Sequence, residues 1–199
     1  MIELAAFLGN PGREYARNRH NAGRLLAERL PFYSSLSWRK KFRGLYAAVN
    51  SGRRVHLLMP ETYMNLSGES VAEAASFFRI ECGSILVVHD ELELPLNTAA
   101  FKLGGGLGGH NGLRSLKACL GAPDFWRLRI GIGRPGHDDI SGWVLSDFTA
   151  GEEETLEPVL SACAEAFVKA LSEGPESLLP EWNKKKIERY GSACESGGR

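Results

Sequence analysis

The chain has 199 residues, of which 43% are hydrophobic and 24% charged, a composition that suits one folded domain and excludes disorder and fibrous repeats. The formal charge is zero but unevenly distributed: residues 1–149 carry 18 Lys and Arg against 14 Asp and Glu, and residues 150–199 carry 6 against 10. That small basic excess permits phosphate contacts while lacking the strong basicity of a general DNA binder.

Residues 2–8 (IELAAFL) read as a buried strand and residues 21–30 (NAGRLLAERL) as a helix stopped by Pro31, with the polar loop GNPGREYARNRHN between them. Residues 41–49 and 54–59 predict a hairpin with Ser51 and Gly52 at its tip. Val71, Ala74, Ala75 and Phe78 recur at helical spacing. The apolar run SILVVH (84–89) is too short for a helix and rich in β-branched side chains, which predicts a central strand. Residues 99–103 add a strand, Leu113, Leu116 and Leu120 a helix, and WRLRIGI (126–132) a further strand. The alternation predicts a single-domain α/β fold, a mixed, largely parallel twisted sheet flanked by helices, with the hairpin as its antiparallel component.

Thr149 and Glu152 have capping-box spacing, and Leu156, Val159, Leu160, Cys163, Phe167, Ala170 and Leu171 line one face of a long C-terminal amphipathic helix ending at Gly174. The acidic run at 152–154 falls in its first turn, where the helix dipole favours negative charge, a structural role. WNKKKIERY after Pro180 is expected to form a last short helix and residues 191–199 a flexible tail, so that the domain spans 1–190. Cys82, Cys119, Cys163 and Cys194 are too widely spaced for a zinc site and read as reduced thiols. The N-terminus lacks a basic leader region and no apolar run approaches about 20 residues, so a soluble cytoplasmic protein is expected.

Four polar segments each follow a predicted strand: GNPGREYARNRHN, PETYMNLSG, HDELELP and GGGLGGHNG. Ligands bind outside the carboxyl ends of strands in open α/β sheets, so these segments predict one shared cleft. GGGLGG and GIGRPG both satisfy the dinucleotide-binding pattern, but neither occupies the first strand-to-helix turn, and a turn requiring positive φ explains the glycines as well. Of the histidines, His56 and His137 read as incidental, His89 should face away from Asp90, and His110 can serve simply to stabilise its turn. His20 stands in a polar loop before a helix, a position that suits either a titrating base or a helix start. No nucleophile elbow and no catalytic cysteine frame is present. A histidine with an aspartate partner can activate water directly, and asparagine amides can bind carbonyls or ribose without adding a charge that would move the imidazole pKa.

FLGNPGREYARNRHNAG, PETYMNLSG, VVHDELELP, FKLGGGLGGHNGL and RLRIGIGRPG, in this order, resemble the bacterial peptidyl-tRNA hydrolases, closely over residues 2–148 and loosely beyond. The resemblance implies hydrolysis of the ester between a peptide carboxyl and the terminal ribose of tRNA, in a monomer with neither metal nor cofactor. By the same resemblance His20 is the proton acceptor, Asp90 its partner, and Asn10 the residue that helps separate N-blocked from free aminoacyl-tRNA. Tyr15, Tyr63, Asn65 and Asn111 match positions contacting the tRNA end, and Lys102 and Arg129 a pair gripping the 5′-phosphate region. Leu107, Asn18 and Tyr63 depart from the family pattern without touching the His–Asp pair. Two other readings compete: a catalytically silent RNA-binding module on the same scaffold, and a nucleotide-cofactor oxidoreductase.

Overall fold

The computed structural model of the protein describes residues 1–136 and 138–188. Its strands are β1 (Leu4–Phe7), β2 (Arg39–Lys41), β3 (Gly44–Asn50), β4 (Arg54–Pro60), β5 (Ile85–Glu91), β6 (Thr98–Leu103), β7 (Trp126–Gly131) and β8 (Lys185–Lys186). They form one sheet in the order β2-β3-β4-β1-β5-β7-β6-β8. The four central strands β4, β1, β5 and β7 are parallel, and antiparallel pairs complete both sides. β1 and β5 are buried throughout, which is why they read as unbroken apolar runs and not as alternating ones.

Helices α1 (Ala22–Glu28) and α5 (Ala150–Glu173) cover one face, packing Leu26, Val159 and Phe167 on Phe7, Leu57, Val88 and Leu128. On the other face α2 (Ser67–Phe78) and α3 (Asn111–Leu120) pack Val71, Ala74 and Leu116 on Leu8, Leu58 and Val87. The expected capping box of α5 is formed: Glu152 accepts from the Thr149 N–H at 2.8 Å, and the Thr149 hydroxyl accepts from the Glu152 N–H at 3.3 Å. A six-residue helix unannounced by the sequence, α4 (Ile140–Leu145), lies within the connection from β7 to α5. None of the helices among the described residues is long and apolar enough to cross a membrane.

Two expected elements differ. The first arm of the hairpin starts at Gly44 and not at Lys41, because Phe42 and Arg43 adopt left-handed backbone (φ 55° and 52°) and fold Arg39–Lys41 back as a separate strand. The segment after Pro180 contains no helix over its described residues; Trp182 is buried against Phe101, and Lys185–Lys186 pair with Thr98 and Ala99 to close the open side of β6. His137 and residues 189–199, which include Cys194 and the expected tail, lie outside the described residues.

The glycine loop is built differently from its neighbours. β6 runs antiparallel to β7, so Leu103 ends beside Trp126 at the amino edge of the parallel strands, away from the edge where β1 and β5 end. The loop therefore climbs back along the sheet: the Gly104 N–H donates to Phe125 O at 3.1 Å, Gly106 O accepts from Arg127 at 2.8 Å, and Gly108 lies by Glu91. Gly104, Gly105, Gly108 and Gly109 hold φ values of 56°, 85°, 57° and 78°, a path that L side chains resist. This geometry has no place for a dinucleotide fingerprint, which needs a parallel strand feeding directly into the glycine turn.

Gly23 sets how closely α1 approaches the sheet. A Cβ there would lie 2.5 Å from Val88 O and 2.7 Å from Leu8 O, both backbone atoms that cannot rotate away. Gly23→Ala is therefore expected to destabilise the fold by about 1–3 kcal/mol, read as a lower urea midpoint at unchanged slope; an unaltered midpoint would show that the helix can slide at no cost.

Candidate active site

His20 sits in a 3-10 turn (Arg19–Asn21) immediately before α1, and Asp90 near the carboxyl end of β5. The two residues, 70 positions apart in sequence, meet directly: His20 Nδ1–H donates to Asp90 Oδ1 at 2.9 Å. A second imidazole shares that oxygen. His110, the N-cap residue of α3, donates from Nε2 to the same Oδ1 at 3.0 Å. Its Nδ1 accepts from the backbone N–H groups of Gly112 and Leu113 at 3.1 and 3.4 Å, so this nitrogen carries no proton and Nε2 must be the donor. The two rings lie 4.8 Å apart. The turn-stabilising role that the sequence left open for His110 is realised as a helix cap, and that capping bond directs its other nitrogen at Asp90.

Asp90 is 2% exposed. Burial by itself would raise its pKa, but the charge of His20 and the hydrogen bonds from His110 and His20 hold it well below the usual carboxylate range. For His20, burial opposes protonation, yet the Asp90 charge and hydrogen bond prevail and raise its pKa above 6.5. His89 is fully enclosed, its Nδ1 donating to the Asp90 carbonyl at 2.6 Å, and burial with the neighbouring His110 pushes its pKa well below 6.5. It packs edge-on to His110 at 5.0 Å.

Two hollows flank His20. One, of about 200 Å³, is bordered by Asp90, Glu91, His110, Asn111, Ile140 and Val144. The other, of about 290 Å³, is bordered by Asn10, Tyr15, Tyr63, Asn65, Asn111 and Leu145. Ser141 and Val144 of α4 wall both. All the amides and tyrosines expected at the site thus surround one cleft. Asn10 Oδ1 accepts from the Met64 N–H at 2.7 Å, which joins the first loop to the loop carrying Tyr63 and Asn65 and leaves the Asn10 amide nitrogen for the cleft. Asn21 anchors Asn10 in turn, accepting from its N–H at 2.8 Å and donating to its carbonyl at 3.0 Å. Asn21 was visible in the R-H-N stretch, but nothing local distinguished it from a helix-start residue. Tyr63 is 60% exposed, an open ring face at the rim.

Lys102 and Arg129 do not line either hollow. They lie beyond Glu91, whose Oε2 accepts from Arg129 Nε at 2.9 Å. Arg127, on the same face of β7 as Arg129 and 1% exposed, sits beneath the glycine loop. Burial, then the charges of Arg127 and Arg129, lower the pKa of Lys102. Three cations with one nearby carboxylate make a locally positive patch beside the cleft. Two of them, Lys102 and Arg129, are expected from the sequence, and strand alternation in WRLRIG points to the third.

His20, Asp90 and His110 bring three potential metal-ligand atoms within 4.8 Å, a cluster the sequence analysis did not anticipate. Each imidazole already directs an N–H at the carboxylate, and His110 spends its other nitrogen on the helix cap, so the arrangement is that of a hydrogen-bonded chain. Fold and site together define a class: an open α/β sheet protein with a buried His–carboxylate pair in an amide-rich cleft where its central parallel strands end. The chain belongs to the peptidyl-tRNA hydrolase family, whose model matches residues 4–190. It is 47% identical over 191 residues to a peptidyl-tRNA hydrolase of Haemophilus influenzae, covering 94% of this chain and 98% of that one. It is 45% identical over 203 residues to one of Treponema pallidum, covering 98% and 99%. The crystal structure of peptidyl-tRNA hydrolase from Acinetobacter baumannii superposes with a TM-score of 0.86 at 39% identity, over 93% of this chain and 96% of that one.

Removing the carboxylate charge leaves burial to act alone on His20, so Asp90→Asn is expected to move its NMR titration from above pH 6.5 to below it. Because the folded-state pKa is raised, protonated His20 stabilises the wild-type fold below pH 6.5, and this contribution disappears as pH rises through the folded value. An unchanged His20 titration in Asp90→Asn would mean that Asp90 is not its electrostatic partner.

Proposed function

We propose that this chain hydrolyses peptidyl-tRNA, with His20 as the proton acceptor, and that the hydrogen-bonded chain from His20 through Asp90 to His110 is the observation that carries the mechanism. An ester seated over His20 has one half in each hollow. His20 Nε2, the nitrogen not committed to Asp90, takes a proton from water as the oxygen attacks the ester carbonyl. Asp90 holds the tautomer in which Nε2 is the acceptor and stabilises the imidazolium as it forms. The bond from the carbonyl carbon to the ribose oxygen then breaks and the proton passes from His20 to that oxygen, giving a tRNA hydroxyl and a peptide carboxylic acid that loses its proton to solvent, with no covalent enzyme intermediate.

The amide donors suit the remaining tasks. Asn10 and Asn111 present neutral N–H groups that can bind a carbonyl or the charge developing on it, leaving the His20 pKa to be set by Asp90. Asn10, fixed on both sides by Asn21 and Met64, is the residue assigned to separate N-blocked from free aminoacyl ends. Tyr15, Tyr63 and Asn65 border the hollow that the tRNA end reaches, and the open face of Tyr63 suits stacking on a base. Lys102 and Arg129 engage the 5′-phosphate region, where the charge they share with Arg127 is balanced by phosphate.

Release of peptide from N-acetyl-aminoacyl-tRNA, with a chelator present, tests this reading against a silent RNA-binding module. His20→Ala is expected to cut kcat by about 10²–10⁴ while tRNA affinity stays close to wild type; full activity of this variant would remove His20 from the role. Lys102→Ala is expected to weaken tRNA binding and reduce the salt-dependence slope by about 1, with no further loss on a 5′-dephosphorylated tRNA. An unaltered slope would place the phosphate elsewhere.

A further inference from the structure

We propose that Arg19 is a positioning residue for the reaction: its side chain latches α4 and the start of α5 onto the turn that carries His20, setting the common wall of both hollows. What the cleft holds rests on the functional reading above; the latch itself does not. Arg19 precedes His20 directly and is 2% exposed. Its Nη2 donates to both carboxylate oxygens of Glu152, at 2.8 and 2.7 Å. Its Nη1 donates to Ser146 Oγ at 2.7 Å and to the carbonyls of Ser146 and Asp147 at 3.2 and 2.5 Å. The guanidinium plane lies 3.7 Å from the Trp143 ring centre, and Trp143 is itself tethered by its indole N–H to Gly133 O at 3.0 Å.

The backbone follows the same line. The Arg19 N–H donates to Ser146 O at 3.0 Å, and Asn18 forms a bridge with Asp147. Asn18, one of the positions departing from the family pattern, also donates from its side chain to Leu145 O. The contacts of Arg19 and Asn18 converge on residues 143–152, which are continuous with α4, and α4 supplies the side chains Ser141 and Val144 to both hollows.

The two terminal nitrogens of Arg19 carry all of these bonds, Nε making none, and a planar guanidinium can lie against an indole while its edge binds a carboxylate, which a lysine ammonium cannot do. The base is secured independently of this latch, since Asp90 is held by β5 and also by His110 from α3. Loss of Arg19 therefore frees the wall of the cleft far more than it displaces the proton acceptor. The consequence is a substrate that binds less well to a centre whose chemistry is nearly intact.

The test uses the full chain with Arg19→Met, Glu152→Gln and the double variant. Glutamine at position 152 can still close the capping box, so Glu152→Gln removes the ion pair while keeping the start of α5. Three measurements are read: hydrogen exchange over residues 140–148, release kinetics on N-acetyl-aminoacyl-tRNA, and affinity for an amide-linked, non-hydrolysable N-acetyl-aminoacyl-adenosine. In Arg19→Met, exchange over that segment is expected to accelerate about tenfold or more, KM and the analogue Kd to rise about tenfold, and kcat to stay within about threefold. Glu152→Gln should move in the same direction by less, and the double variant should be no worse than Arg19→Met, because both act through one contact. Unchanged exchange, or a fall in kcat at constant KM, overturns the proposal. Should Arg19→Met fail to fold, wild-type exchange and wild-type KM in Glu152→Gln overturn it equally. A wild-type protein that released no peptide would defeat the functional reading, and exchange with analogue binding would still judge the latch.

Discussion

One carboxylate oxygen organises the site. Asp90 Oδ1 receives an N–H from His20, on the layer of α1, and another from His110, on the layer of α3, so the helices covering opposite faces of the sheet are tied at the end of its central strand. Such a buried anion would be costly if unpaired, and its two donors are what keep it ionised. They are not equivalent donors. His110 uses its second nitrogen to cap α3, whereas the second nitrogen of His20 is left to the cleft. One imidazole has both nitrogens engaged; the other has one nitrogen facing the cleft.

The antiparallel course of β6 explains why this arrangement needs so many glycines. A parallel strand would have delivered the chain straight to the cleft edge, but β6 ends at the opposite edge and the chain must return along the sheet before His110 can start α3. The return path crosses Arg127 and Glu91 and takes left-handed backbone at four glycines. In doing so it borders the cleft on one side and covers a buried cation on the other. An amide-lined cleft and an adjacent basic patch are therefore two sides of a single loop.

The opposite wall is assembled from the C-terminal part of the chain. α4 is only six residues long and contributes no buried side chain of its own, so it has little independent reason to stay in place. Its position comes from Trp143 and the segment that follows, docked on Arg19 and Asn18. The acidic first turn of α5 gains a purpose beyond the helix dipole, because Glu152 serves the capping box and the Arg19 guanidinium together.

The central parallel strands, the faces of α2, α3 and α5, and the capping box were legible because each depends on local periodicity or a short-range hydrogen bond. So were the residues around the cleft, through the resemblance of five ordered motifs to the bacterial peptidyl-tRNA hydrolases. The turn at Phe42 and Arg43 and the strand at Lys185–Lys186 were not, since the first uses left-handed backbone in residues that seldom adopt it and the second exists only because β6 has an open side. The role of His110 and the docking of Arg19 on Glu152 were equally hidden, the latter pair being separated by 133 positions. Amino-acid order determined which groups are present and which stretches become strands or helices. Only the tertiary structure decided which carboxylate two histidines would share and which nitrogen each would leave over, because those choices depend on distances between residues far apart along the chain.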